Sequence, residues 1–141
     1  MSFKYLDHGA DIGLEVTNDS LEGLFSEAGR ALFSLMVDIE GIQRDESLEL
    51  ELSEQNLEDL LYEWLSELLS LSNLNGQVYG EFSKVTITEA VSGYGLEAVA
   101  RGENIDPEKH ELGTEVKAVT YQGLEINDTE DGWRCRFVVD V

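Results

Sequence analysis

Alternating apolar and polar residues indicate two half-buried strands in the first third of the chain. The alternation covers residues 12–16 and residues 48–52, and its period of two is that of a strand with one wet face. Residues 3–6 form a further short β-type run, and a polar loop over residues 7–11 joins it to the first alternating stretch. The chain therefore opens as a strand, a loop and a second strand.

Two longer stretches carry apolar residues at the three- and four-residue spacing of amphipathic helices. The first covers about residues 20–37; Asn18, Asp19 and Ser20 are its candidate caps, and Asp19 and Glu22 have the spacing of a capping box. The second follows Ser53 as its predicted cap and ends at Gly76, a residue suited to the left-handed conformation that closes many helices. The apolar face of this second helix comprises Leu57, Leu60, Leu61, Trp64, Leu65 and Leu68.

The remainder of the chain is dominated by strand-forming residues. Ser92 and Gly93 predict a hairpin turn, and a polar loop containing Pro107 covers residues 101–114. The predicted strands of this part cover residues 78–89, 94–100, 115–121, 124–127 and 133–139. Two helices among many strands predict an α+β fold, with one domain over residues 1–141 in which largely antiparallel sheets pack against two main helices.

Length and composition fit one ordinary globular domain. The chain has 141 residues, of which 42% are hydrophobic, enough to bury a core without disulfides or structural metal. Cys135 is the single cysteine, so an internal disulfide and a multi-cysteine zinc cage are both excluded. The N-terminus has no apolar stretch typical of a signal peptide, and acids interrupt the densest apolar run, residues 57–74. The expectation is a cytoplasmic protein that does not enter membranes.

The balance of charges is strongly acidic. Thirty Asp and Glu residues against nine Lys and Arg residues give a formal net charge of −21. Nucleic-acid binding depends largely on basic residues that neutralise phosphates, so direct RNA or DNA binding is not expected. A basic protein partner, a metal ion and a solubilising role are all compatible with this charge.

Acidic residues are concentrated in the middle of the chain. Residues 45–83 contain ten acids and no Lys, Arg or His, and the second helix carries like charges four residues apart. Such pairs destabilise an isolated helix by about 0.2–0.5 kcal/mol each. An ordinary solvated face is the simpler interpretation, and a docking surface for a basic partner is the alternative. Five of the nine bases lie in the last 41 residues, including Lys109 and Lys117 in or beside the long loop.

The sequence gives little support for nucleotide binding or nucleophilic catalysis. Residues 93–98 match a loose GxGxxA fingerprint, but a strand is predicted where dinucleotide binding requires a helix. Cys135 alternates with Trp133 and Phe137 on one face of the last strand, which favours a buried, inert thiol. A metal-dependent hydrolase acting alone would also need a general base, and the chain offers no convincing one.

Carboxylates near the two chain ends form the strongest candidate site. Asp7 and Asp11 flank His8 in one short loop, while Asp140 and the Val141 α-carboxylate end an apolar strand. Hard cations such as Ca²⁺, Mg²⁺ and Mn²⁺ prefer clustered oxygen ligands. If the first loop and the chain end meet, three carboxylates converge there. With 30 acids in the chain, chance proximity is the competing interpretation.

Several stretches resemble the archease family along nearly the whole chain. Residues 5–13, Tyr-Leu-Asp-His-Gly-Ala-Asp-Ile-Gly, are similar to its N-terminal signature, and residues 21–28 and 59–69 are similar to its two helices. The remaining matches, in chain order, are Gly102-Glu103, Lys109-His110, residues 115–121 and Val139-Asp140-Val141. Gly9 and Gln122 depart from the family pattern, which more often has Thr and His at these positions.

The resemblance implies an accessory protein rather than an enzyme. Archeases activate the RtcB-type tRNA-splicing RNA ligase by promoting its guanylylation and multiple turnover, and some act as chaperone-like modulators of a tRNA cytosine-5 methyltransferase. The family's metal-binding positions match Asp11, Asp140 and Val141, so the resemblance implies a divalent metal cofactor, Ca, Mg or Mn. The expected supporting or partner-contacting residues are Asp7, His8, Glu103, Lys109, His110, Glu115 and Lys117.

Overall fold

Seven strands, two helices and one 3-10 turn make up the described part of the chain. The structure is a computed structural model that describes residues 2–8, 11–110 and 112–141, and at residues 6–8 it describes the backbone alone. The elements are β1 (Ser2–His8), β2 (Asp11–Asn18), α1 (Leu21–Ser34), the 3-10 turn (Ile39–Gly41), β3 (Glu46–Glu54), α2 (Leu57–Asn75), β4 (Gln77–Ala90), β5 (Gly93–Asn104), β6 (Ala118–Thr129) and β7 (Gly132–Asp140). The predicted α+β class is confirmed.

The described strands form two antiparallel sheets. The larger sheet has the order β1-β2-β7-β6, and the smaller sheet has the order β3-β5-β4. The last strand, β7, therefore lies inside the larger sheet, between β2 and β6. This topology places the end of the chain beside its first hairpin, which is the arrangement that the candidate carboxylate site requires.

Alternation along β2 and β7 decides which face of the larger sheet is buried. Leu14 pairs with Phe137 and Val16 pairs with Cys135, and all four side chains are fully buried. Trp133 packs against the same core while remaining partly exposed, so the predicted shared face of the last strand is confirmed. One hydrophobic cluster joins these side chains to buried residues of both helices and of the smaller sheet.

Helix α1 begins at a serine cap and packs between elements of both sheets. The Ser20 Oγ accepts a hydrogen bond from the Gly23 amide at 3.0 Å, so Ser20 is the cap among the three candidates, and the capping box of Asp19 and Glu22 does not form the cap. The backbone at Gly29 approaches the Phe82 ring of β4 so closely that an added Cβ would lie 2.8 Å from it. The helix ends before residue 37 because its last turn tightens into three-residue hydrogen bonds after Ser34.

Helix α2 has the predicted apolar face but begins later than expected. Ser53 still belongs to β3, and the Asn56 side chain caps the helix by accepting a first-turn backbone amide at 2.8 Å. Gly76, with a φ of 63°, ends the helix in the left-handed conformation as predicted. Trp64 is fully buried, and its Nε1 donates to the Phe25 carbonyl of α1 at 2.8 Å. Among the described residues, no helix combines the length and apolarity that a membrane span needs.

Pairing of the flanking strands extends into both predicted polar loops. His8 and Asp11 already face each other in the register of β1 and β2, so the first loop does not extend over residues 7–11. The smaller sheet likewise retains its pairing as far as Asn104, so the start of the loop predicted at 101–114 is wrong. Extended pairing satisfies backbone groups that a loop would leave to water.

The prediction of two separate strands at 115–121 and 124–127 is wrong. β6 is continuous from Ala118 to Thr129, and its pairing with β7 shifts register between Thr120 and Glu125. Gly123 lies in this interval with a φ of 66°, a conformation that glycine adopts at little cost. The glycine therefore lets the strand bulge and resume instead of ending.

Candidate carboxylate site

Asp11 and Asp140 are direct partners in the register of β2 and β7. Asp140 also pairs with Ala118 of β6, so the aspartates lie side by side at one end of the larger sheet. Val141 follows directly after Asp140. The strand topology thus brings together the three positions that the sequence singled out as metal ligands.

The two aspartates lie on the outer face of the sheet. Their neighbours Ile12 and Val139 pair with each other and pack in or against the core, so alternation directs Asp11 and Asp140 to the opposite face. Directly opposed residues of an antiparallel pair have Cβ atoms about 4.5–5.5 Å apart. Asp11 and Val141 are half-buried and Asp140 is exposed. The two carboxylates can therefore share one solvent-accessible ion.

No basic side chain among the described residues forms an ion pair with either aspartate. The contrast with the same face farther along the sheet is clear, because Glu15 lies 3.5 Å from the Lys4 amine and 3.4 Å from the Arg136 guanidinium. Like charges placed directly opposite each other destabilise a sheet. A divalent cation between Asp11 and Asp140 would replace this repulsion by attraction.

The chemistry of the donors fits a hard divalent ion. Carboxylate oxygens are the ligands that Ca²⁺, Mg²⁺ and Mn²⁺ prefer, and water completes many such sites. The described residues contain no group of three or more His, Cys, Asp or Glu side chains placed to hold a metal. The described side chains of the candidate site are therefore the two aspartates alone, and Val141 follows them in the chain.

Two of the predicted supporting residues are placed by their backbone alone. His8 pairs with Asp11, and Asp7 pairs with Ile12, so both belong to the strand that borders the candidate site. Their side chains, and Gly9 as a whole, lie outside the described residues. Their supporting roles remain predictions.

Lys117 and Glu115 lie in the segment that leads to the carboxylate pair. The Lys117 amide donates to the Asp140 carbonyl at 2.8 Å, which extends the pairing of β7 by one residue. Both side chains are exposed, while Val116 between them is buried and holds the segment against the core. Lys117 and Glu115 are therefore accessible to a partner that approaches Asp140.

Glu103, Lys109 and His110 form a second polar cluster, which ties the long loop to β5. The Glu103 carboxylate is 7% exposed; the Lys109 amine lies 2.5 Å from its Oε1, and the Gln43 amide donates to its Oε2 at 2.6 Å. The His110 Nδ1 accepts the Asp106 amide at 2.8 Å. Its Nε2 lies 3.3 Å from Glu103 Oε2, close enough for electrostatic attraction but outside hydrogen-bond geometry.

The surroundings of Glu103 strongly favour its ionised form. Burial by itself raises the pKa of this carboxyl, but the hydrogen bonds from Lys109 and Gln43, the adjacent His110 ring and the positive charge of Lys109 outweigh it and lower the pKa to about 2. Glu103 and His110 are buried in this internal cluster, whereas the Lys109 side chain is 45% exposed. The sequence named these three residues among seven supporting or partner-contacting candidates but gave no sign of Gln43, because a backbone amide leaves no signal in residue type.

The single thiol lies away from solvent. Cys135 is fully buried, and burial raises its pKa to about 12. A thiol with such a pKa is protonated at neutral pH and is a poor nucleophile, so the expectation of an inert cysteine is confirmed. The glycine-rich stretch at 93–98 opens strand β5 instead of a helix, which confirms that it is a hairpin.

Comparisons with known proteins find archeases that match nearly the whole chain. The family model described as Archease protein family (MTH1598/TM1083) matches residues 3–141. The chain is 38% identical over 139 residues to the protein archease of Methanosarcina mazei, with 99% of this chain and 95% of the relative covered. It is 40% identical over 140 residues to the protein archease of Pyrococcus abyssi, with coverage of 99% and 98%.

Two solved structures share the fold of this chain over nearly its whole length. The solution structure of protein 1598 from Methanobacterium thermoautotrophicum superposes with a TM-score of 0.85 at 34% identity, covering 99% of this chain and 98% of that one. The crystal structure of an archease from Thermotoga maritima, described as a possible chaperone, gives a TM-score of 0.64 at 27% identity, with coverage of 98% and 96%. Matches of sequence and fold over the full length lead to one conclusion: this chain belongs to the archease protein family.

Proposed function

We propose that this protein is a non-catalytic accessory factor that activates an RtcB-type tRNA-splicing RNA ligase. It would promote guanylylation and multiple turnover of the ligase by means of a divalent metal ion bound to carboxylates. Membership of the archease family supports the choice of partner. The observation that carries the proposal is the pairing of Asp11 with Asp140 beside Val141, without a compensating basic side chain among the described residues.

The residues of this chain would hold and orient the ion at the partner's surface. Asp11 and Asp140 would contribute one carboxylate each from adjacent strands, and Val141 would contribute the terminal carboxylate. A bound divalent ion supplies positive charge that stabilises phosphate oxygens during nucleotidyl transfer. Lys117, exposed next to Asp140, would contact the ligase or the same phosphates.

A non-catalytic role is supported by the state of the chain's own reactive groups. The Cys135 thiol is buried and protonated, and the His110 Nδ1 already accepts a backbone hydrogen bond. Neither group is free to act as a nucleophile or general base. The chemistry would therefore take place on the ligase, with this protein as its activator.

The experiment is ligase turnover with purified activator variants. Asp140→Asn removes a charge from the pair while retaining the shape of the side chain, and we expect ligase stimulation and Mn²⁺ or Ca²⁺ affinity to fall at least tenfold. Asp128→Asn, at an exposed position farther along the larger sheet, is the matched control and should behave as the parent protein. Undiminished stimulation by a folded Asp140→Asn protein would refute the metal role.

The position of the terminal carboxylate can be tested separately. Addition of one glycine after Val141 moves this carboxylate by one residue and leaves every side chain unchanged. We expect weaker metal binding, measured by calorimetry, and lower ligase stimulation. Unchanged affinity would leave Asp11 and Asp140 as the only candidate ligands from this chain.

A second candidate function is chaperone-like modulation of a tRNA cytosine-5 methyltransferase. The Thermotoga maritima relative is described as a possible chaperone, and the acids of α2 form no ion pair within the described residues. Suppression of methyltransferase aggregation, followed by light scattering, should then weaken steeply with salt and survive Asp140→Asn. Salt-independent suppression that is lost in Asp140→Asn would exclude this role for α2.

A further inference from the structure

Two stacked tyrosines lie at the surface where α2 meets β6. The rings of Tyr62 and Tyr121 have centroids 4.0 Å apart and an interplanar angle of 15°. Tyr62 is half-buried against the core, whereas Tyr121 is 54% exposed. One face of the Tyr121 ring is therefore covered by Tyr62, and a large part of the ring remains open to solvent.

The Tyr121 ring is held in a fixed orientation. Its hydroxyl donates to Asp59 Oδ1 at 3.1 Å, and the other Asp59 oxygen accepts from the Asn56 side chain at 3.1 Å. Burial, the hydrogen bond to Asp59 and the nearby charges of Asp59 and Glu63 raise the pKa of Tyr121 to about 12. The hydroxyl thus stays protonated and the hydrogen bond persists throughout the physiological pH range.

The surroundings of the exposed ring are negative. Glu58, Asp59, Glu63 and Glu67 belong to α2, and no ion pair within the described residues involves any of them. Packing alone does not account for an aromatic ring that remains more than half exposed. A rigid, open ring face beside carboxylates that form no ion pair within the described residues has the chemistry that recognises a guanidinium group, which stacks on the ring and pairs with a carboxylate.

We propose that Tyr121, supported by Tyr62 and flanked by Asp59 and Glu63, is a receptor for an arginine side chain of a basic protein partner. The net charge of −21 and the absence of Lys, Arg and His from residues 45–83 supply the charge complementarity. Arginine is favoured over lysine because its planar guanidinium both stacks and donates in parallel. This contact differs from the carboxylate pair, since it uses ring stacking and needs no metal.

The test begins with small probes on the full-length protein. A glycine-spaced peptide with two arginines is titrated while the tyrosine ring signals are followed by NMR, and matched peptides carry lysine or citrulline instead. We expect ring shifts of Tyr121 and Tyr62 with the arginine peptide, smaller ones with lysine and none with citrulline. Absent ring shifts, or equal shifts for arginine and lysine, would overturn the proposal.

Variants separate stacking from general charge. Tyr121→Leu should weaken binding of the arginine peptide about two- to fivefold, the range expected for a cation–π contact at an exposed site. Tyr121→Phe should retain most of the affinity for this peptide. Glu63→Gln should weaken binding more than Glu67→Gln, its matched control one turn farther along α2. Equal losses in the two glutamate variants, or unchanged affinity in Tyr121→Leu, would reduce this surface to nonspecific attraction and refute the receptor.

The identity of the partner is a separate question, which rests on the proposed function. The RtcB-type ligase should bind the parent protein and should bind Tyr121→Leu several-fold more weakly, with a smaller dependence on salt. If the parent does not bind the ligase, the proposed function fails. The peptide titration still shows whether Tyr121 binds an arginine side chain. If the ligase binds Tyr121→Leu as tightly as the parent, its contact does not use the receptor, and the assignment of this surface to that partner is wrong.

Discussion

Substitution of Glu103 by Gln tests whether the buried cluster of Glu103, Lys109 and His110 stabilises the fold. The glutamine has nearly the same shape and can still accept the Gln43 amide, but it removes the negative charge that faces Lys109. The long loop depends on this anchor, because Lys109 and His110 both belong to it. We expect a clear loss of stability without a change of fold.

The pKa of Glu103 sets the expected magnitude. Its lowering from 4.5 to about 2 corresponds to about 3 kcal/mol of unfolding free energy at neutral pH. Because the Lys109 side chain is 45% exposed, solvent screens part of the interaction and we expect a loss of about 2 kcal/mol. Urea denaturation followed by tryptophan fluorescence should show a midpoint lower by about 1 M, since m for a domain of this size is about 2 kcal/mol/M.

The dependence on pH follows from the sign of the shift. A carboxyl with a lowered pKa stabilises the fold fully above its ordinary value of 4.5, and this stabilisation is lost as the pH falls towards 2. The gap between the parent and Glu103→Gln should therefore be constant above about pH 5.5 and should shrink below 4.5. Other carboxyls titrate in both proteins, so their effects largely cancel in the difference.

Glu97→Gln is the matched control, because Glu97 is an exposed residue of the same strand without an ion pair among the described residues. Its effect should stay within about 0.5 kcal/mol at every pH. Equal stability of Glu103→Gln and the parent at pH 7 would show that the charge contributes nothing. A gap that persists unchanged to pH 3 would show that its cause is packing and not ionisation.

Three further perturbations test the cap, the core and the thiol. Asn56→Ala removes the α2 cap and should lower the unfolding free energy by about 1 kcal/mol in urea denaturation, while Asn56→Asp, which can still cap, should lose much less. Gly29→Ala drives a Cβ to 2.8 Å from the Phe82 ring and should cost about 1–3 kcal/mol by the same measurement. Gly41→Ala, with no atom within 4 Å of the added carbon, is its control, and equal losses would contradict the tight packing at Gly29. The Cys135 thiol, whose pKa burial raises to about 12, should resist iodoacetamide at pH 8 in the native protein and react in urea, as mass spectrometry would show; rapid native labelling would contradict its burial.

Local patterns in the sequence predict the elements well and their ends poorly. Periodicity identifies the helices because each buries one face, and Gly76 marks the end of α2 because few other residues adopt its conformation readily. The start of α2 was predicted at Ser53, but β3 continues through this residue and the cap falls to Asn56. Pairing with a neighbouring strand decides such boundaries, and this information is not local.

The sequence likewise predicts some of the candidate functional residues and gives no sign of others. Residue types near the chain ends indicate oxygen ligands, but only the insertion of β7 between β2 and β6 brings Asp11 opposite Asp140. The Tyr62–Tyr121 stack has no comparable signal, because 59 residues separate its members in the chain. Family resemblance identified the first pair, and nothing in residue type or spacing pointed to the second.

The carboxylate pair and the tyrosine stack lie on different sides of the larger sheet. Ala118 pairs with Asp140, and Tyr121 is three residues farther along β6, about 10 Å of strand, but its ring stacks on α2, whereas Asp11 and Asp140 lie on the outer face. A partner that uses both sites must therefore reach around the edge strand β6. If one partner uses both sites rigidly, the losses of binding free energy in Asp140→Asn and Tyr121→Leu should add in the double variant. If each site serves a different partner, the methyltransferase should respond to Tyr121→Leu alone and the ligase to Asp140→Asn alone. The additivity measured with each partner therefore decides whether the acidic surface and the metal-binding carboxylates belong to one function or to two.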